Sequence, residues 1–179
     1  MYNTSIIIYT RTHTISLIRV GLMATLVALF FVAVPTHAYF TTGQNAEALT
    51  GGALFTIDYS FGMEKHDVYL PFTAHNQSVA LNTNAVSYAI LDEDGAVVKG
   101  KVSAIVLSNA TLGTDHMYKV AKGSAKKFTL VVVFIPEAPN AEKTYRLQVT
   151  NLPFNFDGTQ QLQLNPSELK YYTTKSIKI

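Results

Sequence analysis

Apolar and polar residues alternate with a period of two along much of the chain beyond residue 50. The clearest run places large apolar side chains at every second position: Phe55, Ile57, Tyr59 and Phe61. Because successive side chains of a β-strand point to opposite faces of a sheet, this pattern predicts a strand with one buried and one solvated face. A chain patterned in this way folds into β-sheets that each bury one face against another layer, and not into a helical bundle.

Further runs of β-forming residues follow, separated by turn signals at spacings of about ten residues. They cover residues 68–74, 86–90, 96–107, 117–120, 145–149 and 161–164. No window beyond residue 38 carries a convincing helical period, and we find no internal repeat. The pattern predicts a single all-β domain, an immunoglobulin-like or jelly-roll β-sandwich of about 7–9 strands, with the strand order left open.

One more run, residues 128–135, is apolar at both parities, and Thr129 is its only polar residue. Such a dry run predicts a central strand, either covered on both faces or lying against a partner. Pro71 cannot donate to a strand ladder, so its strand is expected at an edge or with a bulge.

Residues 92–95, Asp-Glu-Asp-Gly, predict a turn between two strands. Asp-Gly is a strong hairpin signal, so we expect residues 96–107 to return as the partner of residues 86–90, with Gly100 as a bulge or bend. The carboxylates also resemble a fragment of a calcium loop, but the downstream Glu of such a loop is missing.

An apolar stretch near the N-terminus predicts export. Two arginines precede residues 20–34, a run of 15 residues without a charge, which ends shortly before Ala38. These features are typical of a secretory signal peptide, whereas an uncleaved membrane anchor normally needs roughly 20 apolar residues. We therefore expect a signal peptide over residues 1–38, a domain over residues 39–179, and an extracytoplasmic location: secreted, at the cell surface or in the periplasm.

The charge balance argues against nucleic acid as a partner. The net charge is +2, but both excess cations, Arg11 and Arg19, lie in the expected signal peptide, and residues 39–179 carry 12 cationic and 12 anionic residues. Nucleic-acid binding is driven mainly by neutralising phosphates, which a neutral domain does poorly. The chain also has no Cys, which excludes disulfides, thiol nucleophiles and Cys-based metal sites.

Three histidines remain after the expected cleavage: His66, His75 and His116. None lies in a nucleophile elbow or an H-E-x-x-H pattern, so we predict neither an enzyme nor a cofactor. His66-Asp67 and Asp115-His116 could meet across strands and bind a metal, or could be two polar loop ends.

A cluster of lysines surrounds one expected turn: Lys119, Lys122, Lys126 and Lys127. It could meet an acidic polymer or a membrane surface, or it could be a solvated hairpin tip that discourages edge-to-edge pairing.

The two ends of the expected domain are candidate functional segments. Each is about ten residues long, which spans roughly 33 Å when extended. The residues singled out are Tyr39, Phe40 and Leu49 in a possible donated strand, and Tyr171, Tyr172, Ile177 and Ile179 in a possible C-terminal edge strand. A terminal strand can pair with an edge of its own sandwich, or with an edge of the next copy and so build a filament.

The junction after the expected signal reads Ala38-Tyr39-Phe40-Thr41, followed by a short polar stretch and by Leu49-Thr-Gly-Gly-Ala-Leu54. It resembles the N-terminal region of the TasA and camelysin family, in which a signal ends in Ala and an aromatic pair precedes Ser or Thr. The resemblance implies a secreted β-sandwich, in some members a fibre in which the mature N-terminal segment complements the next subunit. Residues 39–49 would then be the donated segment.

A second, broader resemblance lies in the C-terminal half. Residues 118–130 and 144–149 are similar to paired strands of many secreted immunoglobulin-like surface domains. Taken together, these observations predict a non-enzymatic exported protein with a structural, adhesive or filament-forming role, its partners being copies of itself or other surface proteins. We expect the protein to contact a membrane only through the signal segment, during export. The alternative is an extracytoplasmic ligand- or metal-binding module.

Overall fold

The computed structural model describes residues 40–77, 84–137, 143–156, 160–164 and 166–179. The expected signal peptide over residues 1–38, and Tyr39 after it, lie outside the described residues and stay predictions.

The described residues form an all-β structure with one short helix. The strands are β1 (Phe40–Leu49), β2 (Gly52–Met63), β3 (Val68–Pro71), β4 (Ala74–Asn76), β5 (Val86–Leu91), β6 (Gly100–Ser108), β7 (Thr111–Leu112), β8 (Met117–Val120), β9 (Ser124–Pro136), β10 (Thr144–Asn151), β11 (Pro153–Phe156), β12 (Gln160–Gln163) and β13 (Ile177–Lys178). The helix α1 (Pro166–Leu169) precedes β13. The all-β sandwich prediction is confirmed, and the strand number exceeds the expected one because several strands are only two to four residues long.

The strands form three sheets. The long sheet has the order β1-β2-β9-β6, the β5–β10 sheet has the order β13-β10-β5-β4, and the β3–β8 sheet has the order β12-β11-β3-β8-β7. Strand β9 pairs with β2 on one side and with β6 on the other. Its central position was predicted from the apolar run over residues 128–135.

The core lies between the long sheet and the two shorter sheets. Aromatic pairs mark both contacts: Phe61 packs against Phe154 of the β3–β8 sheet at 5.0 Å between ring centroids, and Phe134 packs against Tyr145 of the β5–β10 sheet at 5.2 Å. The inward residues of β2 and β9 are buried almost completely. Alternation in these two strands therefore supplies one whole wall of the core.

The turn over residues 92–95 forms, but the expected return strand does not stay beside β5. Asp92 accepts hydrogen bonds from the backbone N–H groups of Asp94 and Ala96, at 3.1 and 2.8 Å, and the pairing extends to Val98, whose N–H donates to Ile90. The chain then crosses to the long sheet, where β6 pairs with β9 from Gly100 onward. The expected hairpin partner over residues 96–107 is therefore wrong beyond its first residues.

Gly100 stands at this crossing. A Cβ at this position would lie 2.4 Å from a ring carbon of Phe134 and 2.5 Å from the carbonyl oxygen of Ile135. No side chain fits there, so the missing Cβ lets β6 lie directly on β9.

The expected strand over residues 68–74 is two strands in different sheets. Strand β3 ends at Pro71, and β4 begins at Ala74 and runs parallel to β5. Strand β3 lies between β11 and β8, so its predicted edge position is wrong. Pro71 is tolerated because it is the last residue of the strand.

Candidate functional site

The N-terminal strand β1 is an edge strand of the long sheet. It pairs antiparallel with β2 from Phe40, opposite Ser60, to Leu49, opposite Gly52, with an irregularity between Thr41 and Gly43. The turn between them contains Gly51 at a φ of 73°. In this single chain, the possible donated segment therefore pairs with its own domain.

Residues 43–49 of β1 bury little of their side-chain surface. None of them is fully buried, and Leu49 is 41% exposed. Ala46 is a partly buried residue that packs against the core. Backbone hydrogen bonding to β2, more than hydrophobic burial, therefore holds residues 43–49 in place.

The C-terminal segment is an edge of the β5–β10 sheet. Ile177 lies opposite Tyr145 of β10, and the N–H of Ile179 donates to Lys143 at 3.1 Å. Both isoleucines are half-buried, so this segment also pairs within its own domain.

The two adjacent tyrosines have different environments. Tyr171 is 60% exposed, with the Lys170 ammonium 4.8 Å from its ring centroid, whereas Tyr172 is buried beside Tyr59 at 5.8 Å between ring centroids. The side-chain amide of Gln44 in β1 donates to the carbonyl oxygen of Tyr171. This bond joins the N-terminal strand to the C-terminal segment.

The outer face of the long sheet is apolar in its middle, and no described element covers it. Alternate residues of β2, β6 and β9 share this face: Leu54, Ile105, Leu107, Val131, Val133 and Ile135. Ile105, Leu107 and Ile135 are 50%, 48% and 47% exposed. We call these six residues the outer patch. They explain why residues 128–135 are apolar at both parities, since one parity fills the core and the other lies on this surface.

Two charged side chains flank the outer patch. Glu47 lies opposite Leu54 on the β1 side, and Lys101 lies opposite Ile135 on the β6 side. Both are exposed. The face therefore carries an anion at one edge and a cation at the other.

The two His-Asp pairs do not meet. His66 and Asp67 precede β3, whereas Asp115 and His116 precede β8, which runs antiparallel to β3. The pairs thus lie beyond opposite ends of a four-residue ladder, roughly 10 Å apart or more. The two pairs therefore do not form one site, and the described residues contain no group of three His, Cys, Asp or Glu side chains placed to hold a metal ion.

The lysine cluster is divided by the fold. Lys119 lies 2.7 Å from Asp67, in an ion pair, and the N–H of Lys122 donates to the same carboxylate at 2.9 Å. Lys126 and Lys127 are successive residues of β9, so they point to opposite faces of the long sheet. The four cations do not form one patch.

The carboxylate of Asp92 accepts two backbone N–H groups of its own turn. Gly95, at a φ of 82°, supplies the left-handed position that the turn needs. A hairpin turn therefore accounts for the residues that resemble a calcium loop.

The segments that are similar to paired immunoglobulin-like strands lie in different sheets. Strand β8 pairs with β3 and β7, β9 pairs with β2 and β6, and β10 pairs with β5 and β13. The resemblance therefore does not extend to how these strands pair.

In comparisons with known proteins, no family model and no curated protein matches the chain. Within the part of the chain that the structure describes, no helix is long and apolar enough to cross a bilayer.

Proposed function

We propose that this protein is an exported, non-enzymatic β-sandwich that assembles with copies of itself at the cell surface. The observation that carries the proposal is the attachment of β1, which pairs with β2 along its length but has no fully buried side chain among residues 43–49. Residues 43–49 can therefore leave the domain at little hydrophobic cost, and the same segment of another copy can restore their backbone bonds. Open-ended exchange of this kind builds a filament.

The outer patch supports assembly by offering apolar surface to a second copy. A two-fold axis parallel to the strands places β1 of one copy over β6 of the other. Leu54 and Val133 then pack across the interface, because they lie opposite each other in one row of the sheet. The same row places Glu47 over Ser103 of the second copy, two residues away from Lys101. Two sheets packed face to face lie about 10 Å apart, close enough for the side chains of the patch to interdigitate.

Export is tested by the intact mass of the protein recovered from outside the cytoplasm. A chain that begins at Tyr39 supports the proposal, and a chain that retains residues 1–38 in the membrane contradicts it. Electron microscopy of the same material shows whether filaments form.

Strand exchange is tested by engineered cysteines, because the natural chain has none. Asn45 and Thr56 lie directly opposite each other and outside the outer patch, at a separation that suits a disulfide. Combining Asn45→Cys with Thr56→Cys should give a ladder of covalent oligomers on a non-reducing gel if β1 is exchanged. If filaments seen by microscopy contain only disulfide-closed monomers, exchange is contradicted. Asn45→Cys alone is the matched control.

Deletion of residues 40–49 is the complementary test. If β1 is donated, the deletion should abolish filaments while circular dichroism still reports β-structure. An unchanged oligomeric state would exclude donation by this segment.

The role of the outer patch in self-association is tested by introducing a single carboxylate into it. Ile105→Glu should weaken self-association, because it places a carboxylate in the middle of the apolar face. Leu112→Glu is the matched control, since Leu112 is 49% exposed and lies on β7, away from the long sheet. Equal association of the two variants contradicts a role for the patch.

A second candidate function is the binding of a small ligand. It is favoured by a cavity of about 550 Å³ at one end of the β3–β8 sheet, which is within the usual range of about 300–1,000 Å³ for small-molecule sites.

A further inference from the structure

The cavity lies where β3 ends, β8 begins and β11 begins. Residues that line it include Phe72, Asp115, His116, Met117, Phe154 and Asn155. The register explains why they meet, since Pro71 lies opposite Met117 and Asn155 lies opposite Tyr69. Three segments far apart in sequence thus form one concave surface.

His116 adopts a left-handed backbone conformation, with a φ of 61°. It is the one described residue other than glycine with a positive φ. Its turn is closed by a hydrogen bond from the N–H of Gly113 to Met117 at 2.8 Å, and by one from the N–H of Met117 to Asp115 at 3.2 Å. Glycine would adopt this conformation without strain, whereas a histidine adopts it at some cost in stability.

The imidazole of His116 forms an aromatic wall with Phe72. The two ring centroids are 5.3 Å apart and the ring planes are inclined by 31°. Phe72 is half-buried and His116 is exposed, so the pair presents ring surface to the cavity. The strained backbone therefore places a ring where a flat, weakly polar ligand surface could stack.

The charge of the lining restricts the ligand. The described residues around the cavity include the carboxylate of Asp115 and no Lys or Arg. An anionic ligand would therefore be repelled, whereas a hydroxyl-rich ring could donate to Asp115 and lay its C–H face on Phe72. We propose that this cavity is a binding site for a neutral sugar. This inference deepens the second candidate function and does not depend on assembly.

The test is saturation-transfer NMR on the purified full-length protein with glucose, galactose, mannose and N-acetylglucosamine in turn. Each sugar is used at about 10 mM, which detects millimolar dissociation constants. We expect saturation transfer to the ring C–H protons of at least one sugar. His116→Gly and Phe72→Ala should each weaken its binding by about tenfold or more.

Ser103→Ala is the control, because Ser103 is exposed on β6 of the long sheet. His116→Gly relaxes the backbone, so it keeps the test valid even if Phe72→Ala fails to fold. Transfer to none of the four sugars would overturn the proposal, as would transfer that is unchanged in the folded variants. Because filament formation is scored separately by microscopy, failure of sugar binding and failure of assembly are distinguishable.

Discussion

The ammonium nitrogen of Lys119 lies 2.7 Å from Oδ2 of Asp67, and the other oxygen of that carboxylate accepts a hydrogen bond from the backbone N–H of Lys122. One carboxylate thereby ties the loop before β3 to the turn after β8. Both bonds favour the ionised form, so the pKa of Asp67 is lowered, chiefly by the Lys119 side chain and then by the Lys122 backbone.

Asp67→Asn should lower the melting temperature at neutral pH by a small amount, because the ion pair is partly exposed to solvent. A lowered pKa in the folded state gives stability above the ordinary carboxyl pKa of about 4, and that stability is lost as the pH falls through the lower folded value. Thermal melts from pH 7 to pH 2 should therefore show the wild type and the variant converging in acid. Glu93→Gln, at an exposed position in another turn, is the control. A difference that persists undiminished in acid would contradict the assignment.

Tyr59→Phe should stabilise the fold by about 1 kcal/mol, because the Tyr59 hydroxyl is buried in the core without a hydrogen-bond partner. Chemical denaturation measures the free energy of unfolding directly. Tyr118→Phe is the comparison, since its hydroxyl donates to Val106 at 3.1 Å and its loss should destabilise. If Tyr59→Phe proves the more destabilising change, the hydroxyl has a partner.

The buried tyrosines Tyr59 and Tyr88 should make the fold less stable at alkaline pH. Burial raises the pKa of Tyr59, with smaller contributions from Tyr172 and Tyr118, and burial raises the pKa of Tyr88 to about 12. A raised folded pKa gives stability that is full below the ordinary tyrosine pKa of about 10 and declines as the pH rises above it. Tyr59→Phe combined with Tyr88→Phe should flatten this decline in melts between pH 9 and pH 12. A parallel decline in both proteins would contradict the account.

Local patterns predicted the strands well and their partners poorly. The alternation in β2 and the apolar run of β9 depend on burial of one strand face, which sequence displays directly. Partner choice depends on contacts between distant residues, so the turn at residues 92–95 was predicted correctly while the crossing of the next strand at Gly100 was not. The sequence indicated a bend at Gly100. It did not show that Phe134 and Ile135 lie too close for any side chain at this position.

The candidate sites show the same difference between features set by local sequence and features set by long-range packing. The terminal segments were identifiable because they begin and end the expected domain, whereas burial of Tyr172 and exposure of Tyr171 depend on packing against Tyr59. The cavity was not predicted, since its walls come from three segments that share no sequence motif. The positive φ of His116 is the one unusual backbone angle among the described lining residues, and no sequence pattern predicts a positive φ at a histidine.

Gly100→Ala should destabilise the sandwich by about 1–3 kcal/mol, the usual cost of overpacking a close contact. A methyl group there would lie 2.4 Å from the Phe134 ring and 2.5 Å from a backbone oxygen, so the strand must shift. Ser103→Ala on the same strand is the control and should change stability little, because Ser103 is exposed. Urea denaturation of both variants gives the comparison. Equal stabilities would mean that β6 does not lie against β9 at the crossing.

His116→Gly should stabilise the protein by about 1 kcal/mol, because glycine adopts the left-handed conformation without the clash that a Cβ introduces. Gly123→Ala is the mirror-image control: Gly123 has a φ of 71°, so a methyl group there should destabilise by a similar amount. Thermal or urea unfolding of the two variants checks both signs. A stabilised His116→Gly variant that no longer binds sugar would show that the imidazole contributes to binding at a cost in stability, as functional side chains often do. Loss of stability in this variant would instead mean that contact with Phe72 outweighs the backbone strain.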